Sequence, residues 1–129
     1  MFKLLIVSLF ITTTMCYNYN KLIKHEMLDP DDQYVKDCYS RIPDQLHDCT
    51  MKVMTDWGLT PHTDPKSRES CCGSWQLADC IRANAEINCY EWEVEAVIKL
   101  QNKTITKQQT TNCFNYVYHS DICIKTFSI

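Results

Sequence analysis

The residues best suited to chemistry in this chain are its nine cysteines, because a thiol can bind a metal, act as a nucleophile or close a disulfide. Metal sites favour close pairs such as Cys-x-x-Cys, but the sequence has none, and its four histidines are scattered. The one close pair is Cys71 and Cys72, whose side chains would point about 100° apart on a helix. We therefore expect no metal site and no strained bridge between these neighbours, but disulfides from each to a different partner.

The start of the chain indicates that the cysteines reach an oxidising compartment. A charged start precedes a short apolar run at 4–11, and small residues follow up to Cys16. This layout is that of a secretory signal peptide, and the run is too short for a membrane span. We predict a signal peptide over 1–16, a single domain over 17–129 with a loose N-terminal arm over 17–28, and a secreted, extracellular protein.

Loss of Cys16 with the signal peptide leaves an even number of cysteines, as a closed disulfide framework requires. On one straight helix Cys71 and Cys89 would be about five turns apart, too far to bond each other. We therefore expect about four disulfides, most of them joining different helices, and the pairing itself stays open. The cysteines concerned are Cys38, Cys49, Cys71, Cys72, Cys80, Cys89, Cys113 and Cys123.

The fold class follows from glycine and proline. Two glycines in 129 residues argue against a turn-rich β fold, because tight turns use glycine for positive φ. Asp29 and Asp64 each precede a proline, which predicts a capped helix start at both places. Gly58 suits the left-handed end of a helix, whereas Gly73 fits either a close approach of two helices or a fraying first turn. The predicted fold is all-α, with four to five short helices cross-linked by about four disulfides.

Hydrophobic periodicity places the remaining helix boundaries. Pro43 is expected to end or kink the first helix. The stretch 66–101 is too long for one ordinary helix, so we predict two, with a break near Asn84 or Asn88. Residues 113–119 alternate as a strand would but also fit a helix. Helix is preferred there because no second strand is apparent for pairing.

Acidic side chains offer the other candidate chemistry. A carboxylate pair from Glu91, Glu93 and Glu95 could do acid–base work, but we interpret the run as the solvated edge of a helix. His47 and Asp48 are likewise expected to face water rather than form a dyad. No nucleophile elbow, zinc-protease or phosphate-loop motif occurs. We predict a protein that is not an enzyme, with no catalytic residues and no cofactor.

Two further features concern binding and modification. Trp57, Trp75 and Trp92 are expected in the core rather than on a ligand platform. Asn102 begins an Asn-Lys-Thr sequon at an expected helix-to-loop boundary, so it is a candidate glycosylation site whose occupancy stays open. The net charge of −3 disfavours nucleic acid and anionic membrane surfaces as partners.

The stretch from Cys71 to Cys80 invites comparison with small secreted phospholipases, whose double cysteine precedes a catalytic His-Asp pair on a helix. Trp75 stands where that histidine would be, and Asp79 has no histidine beside it in the sequence. The glycine-rich calcium loop of that family is also missing. An enzyme relative without its active site is the weakest of the functions considered.

Two families resemble the cysteine pattern. Plant non-specific lipid-transfer proteins are similar in having eight cysteines, an adjacent pair in third and fourth place, a signal peptide and an all-α fold around an apolar tunnel. The segment 63–89 resembles small secreted helical proteins of arachnids and other arthropods, on the pattern Cys-Cys-x-x-Trp-x-x-x-Asp-Cys. That likeness covers about the last two-thirds of the chain. Some of those proteins occur in venom or gland secretions, and most have no assigned activity.

The function predicted is a secreted, non-catalytic binding or effector protein, such as a venom or gland component, that acts on an extracellular protein target. The alternative is an extracellular carrier of a small apolar ligand. A carrier needs an internal cavity lined by residues such as Leu77, Ile81, Val94 and Ile98. An effector should instead present an exposed apolar or aromatic patch on the disulfide-fixed surface.

Overall fold

A computed structural model of the chain describes Met27 and residues 30–124. The predicted signal peptide lies outside this part, as does the predicted arm except for Met27. The described residues contain four α-helices, one 3₁₀ turn and no strand, and they are cross-linked by four disulfides, which confirms the predicted all-α class. The elements are α1 (Gln33–Arg41), α2 (Pro43–Trp57), α3 (Arg68–Asn88), α4 (Glu91–Gln109) and the 3₁₀ turn (Asp121–Cys123).

Two helices begin later than the sequence predicted. Asp32, not Asp29, caps α1, and its Oδ1 accepts hydrogen bonds from two first-turn amides at 2.8 and 3.2 Å. Ser67 caps α3, whereas Asp64 closes the turn before it by accepting the Lys66 amide at 2.9 Å. A capping side chain was available at either position in each case. The prolines therefore mark the turns that lead into these helices, not their first residues.

Other boundaries confirm the predictions. Pro43 is the first residue of α2, so only Ile42 separates this helix from α1. The helix α2 ends before Gly58, which has φ 60° and ψ 38°, the left-handed conformation that glycine adopts without strain. The stretch 66–101 is indeed divided, because α3 ends at Asn88, one of the two predicted positions.

The helix α4 is longer than predicted and carries no cysteine of its own. It continues to Gln109 through the polar stretch that was expected to be a loop, so Asn102 lies inside a helix and not at its end. The reason is burial, since Thr104, Ile105 and Gln108 all face the core. The polar composition of this stretch concealed a buried helix face.

The prediction of a helix over 113–119 is wrong, and so is the strand alternative, because these residues form turns. Their two flanking cysteines are bonded to neighbours on α3, which holds Cys113 and Cys123 within about 15 Å of each other. An extended chain from Cys113 to Cys123 would instead span roughly 33 Å. A helix that continues past residue 118 is excluded by His119, whose φ is 62°.

Every disulfide has one sulfur on α3 or on Cys89, the residue that follows it. Cys71 and Cys72 bond to different partners, as predicted. Both partners lie in residues 110–124, which we call the C-terminal segment. The other two bridges connect α3 and Cys89 to α2 and α1. The pairs are Cys38–Cys89, Cys49–Cys80, Cys71–Cys113 and Cys72–Cys123.

Helix α3 also packs against α1, α2 and α4, so it is the centre of the bundle as well as the centre of the disulfide framework. The chain approaches α3 closely at Gly73, where an added Cβ would lie 3.0 Å from Leu59 Cδ1 and 3.3 Å from Val53 Cγ1. This decides between the two interpretations of Gly73 in favour of close helix approach. Beside it, Trp57 Nε1 donates to Gln76 Oε1 at 2.7 Å and fixes the α2–α3 interface further.

Substitution of Gly73 tests this close approach. Helix propensity alone would make Gly73→Val neutral or mildly stabilising. We expect instead a loss of about 1 to 3 kcal/mol in the free energy of unfolding, because the added side chain must displace Leu59 and Val53. Guanidinium denaturation followed by circular dichroism measures the free energy of unfolding of the wild type and of the variant. Ala83→Val is the control at an exposed position of the same helix, and equal effects of the two substitutions would contradict the packing argument.

Candidate functional site

Two exposed aromatic side chains stand at the junction of α3 and α4. Tyr90 is 53% and Trp92 55% exposed, and their rings are stacked with centroids 4.7 Å apart and an interplanar angle of 7°. We call this pair the aromatic platform. The prediction that all three tryptophans lie in the core holds for Trp57 and Trp75, which are buried, and is wrong for Trp92.

The backbone of the junction explains why the platform is at the surface. Cys89 and Tyr90 are both extended, with ψ of 161° and 154°, so the chain turns away from α3 before α4 begins. The disulfide from Cys89 to Cys38 anchors the junction to α1. Tyr90 precedes the first turn of α4, and its amide donates to the carboxylate of Glu93 at 2.9 Å, half of a capping box.

Glu93 connects the junction to α1 a second time. Arg41, the last residue of α1, donates through Nε to Glu93 Oε1 at 3.1 Å and through Nη2 to Oε2 at 3.3 Å. The Glu93 side chain is only 2% exposed, so its assignment to a solvated helix edge is wrong, whereas Glu91 and Glu95 are exposed as predicted. Burial by itself raises the pKa of Glu93, but the hydrogen bonds from Arg41 and Tyr90 and the charge of Arg41 outweigh it, and the pKa is lowered.

Arg41 also contacts the platform directly. Its guanidinium carbon lies 4.6 Å from the centroid of the Tyr90 ring, a cation–π arrangement. The Tyr90 ring thus has Trp92 stacked on it and Arg41 over it. A disulfide, a buried carboxylate and a guanidinium together hold the platform in one place while leaving about half of each ring accessible.

A second cluster lies beside Trp75 and was missed from the sequence. Asp79 accepts a hydrogen bond from the Tyr118 hydroxyl, and His119 Nε2 lies 3.1 and 3.0 Å from its two carboxylate oxygens. The Tyr118 and His119 rings stack at 3.7 Å, and Trp75 meets Tyr118 edge-on at 5.6 Å. Desolvation, then the hydrogen bond from the hydroxyl to Asp79, raises the pKa of Tyr118.

Asp79 therefore does have a histidine partner, brought from a distant part of the chain. A carboxylate that orients an imidazole is a familiar arrangement in general-base catalysis. Here, however, the two side chains are 63% (His119) and 48% (Asp79) exposed, beside an open groove of about 420 Å³. We interpret the cluster as a clasp that holds the C-terminal segment on α3, together with the hydrogen bond from Trp75 Nε1 to the Tyr116 carbonyl at 2.8 Å.

The other predicted site residues are dispersed. His47 and Asp48 are exposed on α2, which confirms that they face water. Asn102 is exposed in the middle of α4, while the hydroxyl of Thr104 in the same sequon is buried and donates to a backbone carbonyl at 3.0 Å. In the part of the chain that the structure describes, no three His, Cys, Asp or Glu side chains are arranged to hold a metal ion.

The four residues proposed to line a carrier cavity differ in burial. Leu77 and Ile81 are fully buried in the core, and Val94 and Ile98 are partly buried. A second groove, of about 750 Å³, lies between the chain before α1 and one side of α4, and none of the four lines it or the groove beside Asp79.

No protein-family model, curated protein or solved structure matches this chain. Among the four described helices, none is both long and apolar enough to cross a membrane. Function must therefore be inferred from the geometry of the platform and of the clasp.

The ion pair between Glu93 and Arg41 predicts a pH-dependent loss on substitution. Because the pKa of Glu93 is lowered in the folded state, its contribution to stability is present above the unfolded pKa of about 4.3 and disappears as pH falls through the folded value. Glu93→Gln should therefore lower the midpoint of urea denaturation at pH 7, and much less at pH 3. Glu95→Gln, at an exposed position of the same helix, is the control. An equal deficit of Glu93→Gln at both pH values would contradict the ion-pair account.

The clasp predicts a local effect rather than a global one. Asp79→Asn keeps one acceptor but removes the charge shared by Tyr118 and His119. Since the carboxylate is half exposed, we expect a stability loss below about 1 kcal/mol, together with severalfold faster amide exchange over 116–120. Hydrogen–deuterium exchange with mass spectrometry measures this. Glu86→Gln, beside the same groove, should leave exchange in that segment unchanged.

Proposed function

We propose that this protein is a secreted, non-catalytic binding or effector protein that contacts an extracellular protein target through the aromatic platform. The observation that carries the proposal is the combination of Tyr90, Trp92 and Arg41 in one contacting cluster at the surface. Tyrosine, tryptophan and arginine are the residues that most often dominate the binding energy of protein interfaces. Ile87, which is 79% exposed and precedes the junction by less than one helical turn, adds apolar surface nearby.

The rigidity of the cluster supports this proposal. Binding normally costs free energy to immobilise the interface side chains, and a platform already fixed by packing avoids part of that cost. Tyr90 contacts both Trp92 and Arg41, and Arg41 is held by two hydrogen bonds from its guanidinium to a buried carboxylate. An exposed aromatic pair supported in this way is better explained by recognition than by stability, because the rings bury only about half of their surface within the chain.

The proposed setting follows from the covalent framework. Four intramolecular disulfides are typical of extracellular proteins. The apolar start of the sequence supports export by a signal peptide, and the gland or venom setting is proposed only from the resemblance of the cysteine pattern. The carrier alternative gains no support, because Leu77 and Ile81 are enclosed in the packed core.

The test compares exposed aromatic residues on and off the platform. Wild-type protein, Trp92→Ala and Phe114→Ala are titrated by biolayer interferometry against extracellular domains and cell surfaces from the source organism. Phe114 is 76% exposed and lies outside the platform, so it is a matched control. We expect Trp92→Ala to weaken binding about 30-fold, equivalent to about 2 kcal/mol, and Phe114→Ala to stay within about twofold.

Folding of each variant is checked by circular dichroism and by the absence of free thiols. Target binding that is equally strong in wild type and Trp92→Ala would contradict the proposal. A panel that yields no partner whose binding depends on Trp92 would also count against it.

A further inference from the structure

The platform already binds one cationic side chain from its own chain. Arg41 places its guanidinium over the Tyr90 ring at 4.6 Å and donates to both carboxylate oxygens of Glu93. The carboxylate of Glu93 thus accepts the hydrogen bonds of the guanidinium and balances its charge, while the Tyr90 ring contacts the same guanidinium. This contact shows within the molecule which chemistry the junction accommodates.

The outer side of the platform offers an aromatic face and carboxylates as well. Trp92 stacks one face on Tyr90 and remains 55% exposed, and tryptophan is the best aromatic acceptor of cations. Glu95 follows Trp92 at the i, i+3 spacing and Glu91 at the i, i+4 spacing, so Glu95 neighbours both residues on the surface of α4. Both glutamates are exposed, and neither has an ion-pair partner among the residues that the structure describes.

We infer that the outer face of Trp92, with the carboxylates of Glu91 and Glu95, binds an arginine side chain in a basic segment of the target protein. This inference rests on the proposed function and names the chemistry of the partner. The charge of the surface selects against the other occupants. An acidic partner would meet like charges, and a second copy would bring two pairs of carboxylates together around the two tryptophans.

The experiment uses the emission of Trp92, since Trp57 and Trp75 are buried. The full protein is titrated with a peptide of alternating arginine and serine, and with matched lysine–serine and glutamate–serine peptides. We expect a saturable change in emission with the arginine peptide, a weaker one with lysine, and none with glutamate. The affinity for the arginine peptide should fall severalfold between 20 and 200 mM salt, roughly as screening of exposed charges requires. Trp92→Phe should abolish the emission change.

The carboxylates are tested by a pair of double variants with the same change in net charge. Glu91→Gln with Glu95→Gln should weaken binding of the arginine peptide by about 5- to 10-fold. Asp44→Asn with Glu69→Gln removes two exposed carboxylates elsewhere and should stay within about twofold. Equal losses in the two double variants would show general electrostatic attraction and would overturn the inference, as would an arginine peptide that leaves Trp92 emission unchanged.

Failure of this inference can be distinguished from failure of the proposed function. If the target still binds in a Trp92-dependent manner but the arginine peptide does not, the platform binds a protein by another chemistry and only the inference is overturned. If neither ligand depends on Trp92, both fail. Sedimentation velocity tests whether a second copy of the chain occupies the platform. A dimer that is lost in Trp92→Ala would identify that second copy as the occupant and exclude the basic segment.

Discussion

The structure depends on one covalent constraint, namely that all four disulfides meet on α3 or on the residue that follows it. The bridges close loops with sequence separations between 31 and 51, and each such loop removes conformational freedom from the unfolded chain. Helix α1, helix α2 and the C-terminal segment are therefore each positioned with respect to α3 and only secondarily with respect to one another. This arrangement suits a chain whose core contains several polar side chains.

The same constraint explains the positions of two surface clusters, the aromatic platform and the clasp. At one end of α3, the disulfide of Cys89 fixes the junction where Glu93 and Arg41 support the platform. Toward the other end, Cys71 and Cys72 bring back a segment with no regular helix, and Asp79 completes its attachment. In both places a disulfide brings the segments together, and hydrogen bonds to one carboxylate, that of Glu93 or that of Asp79, then orient the side chains.

Much of this architecture could be predicted from the sequence, and the exceptions have physical causes. The even cysteine count, the end of α2 at Gly58 and the separate partners of Cys71 and Cys72 follow from local rules of geometry. Glu93 could not be distinguished from Glu91 and Glu95, because its burial depends on an arginine 52 residues away. One local signal was present, since Glu93 stands three residues after the residue that precedes α4, the spacing of a capping box. His119 gave no such signal, because only the disulfides bring it to Asp79.

Helix α4 is the one described helix without a cysteine, so no disulfide within it attaches it to its neighbours. It is held by packing and by polar contacts such as that of Gln101 Nε2 with the Ala78 carbonyl at 2.9 Å. Once α4 is formed, the sequon at Asn102 is helical and the hydroxyl of Thr104 is engaged with its own backbone. A glycan at Asn102 would therefore have to be attached while this part of the chain is still extended. Glycosylation of Asn102 thus depends on whether the glycan is transferred before residues 102–104 fold into α4.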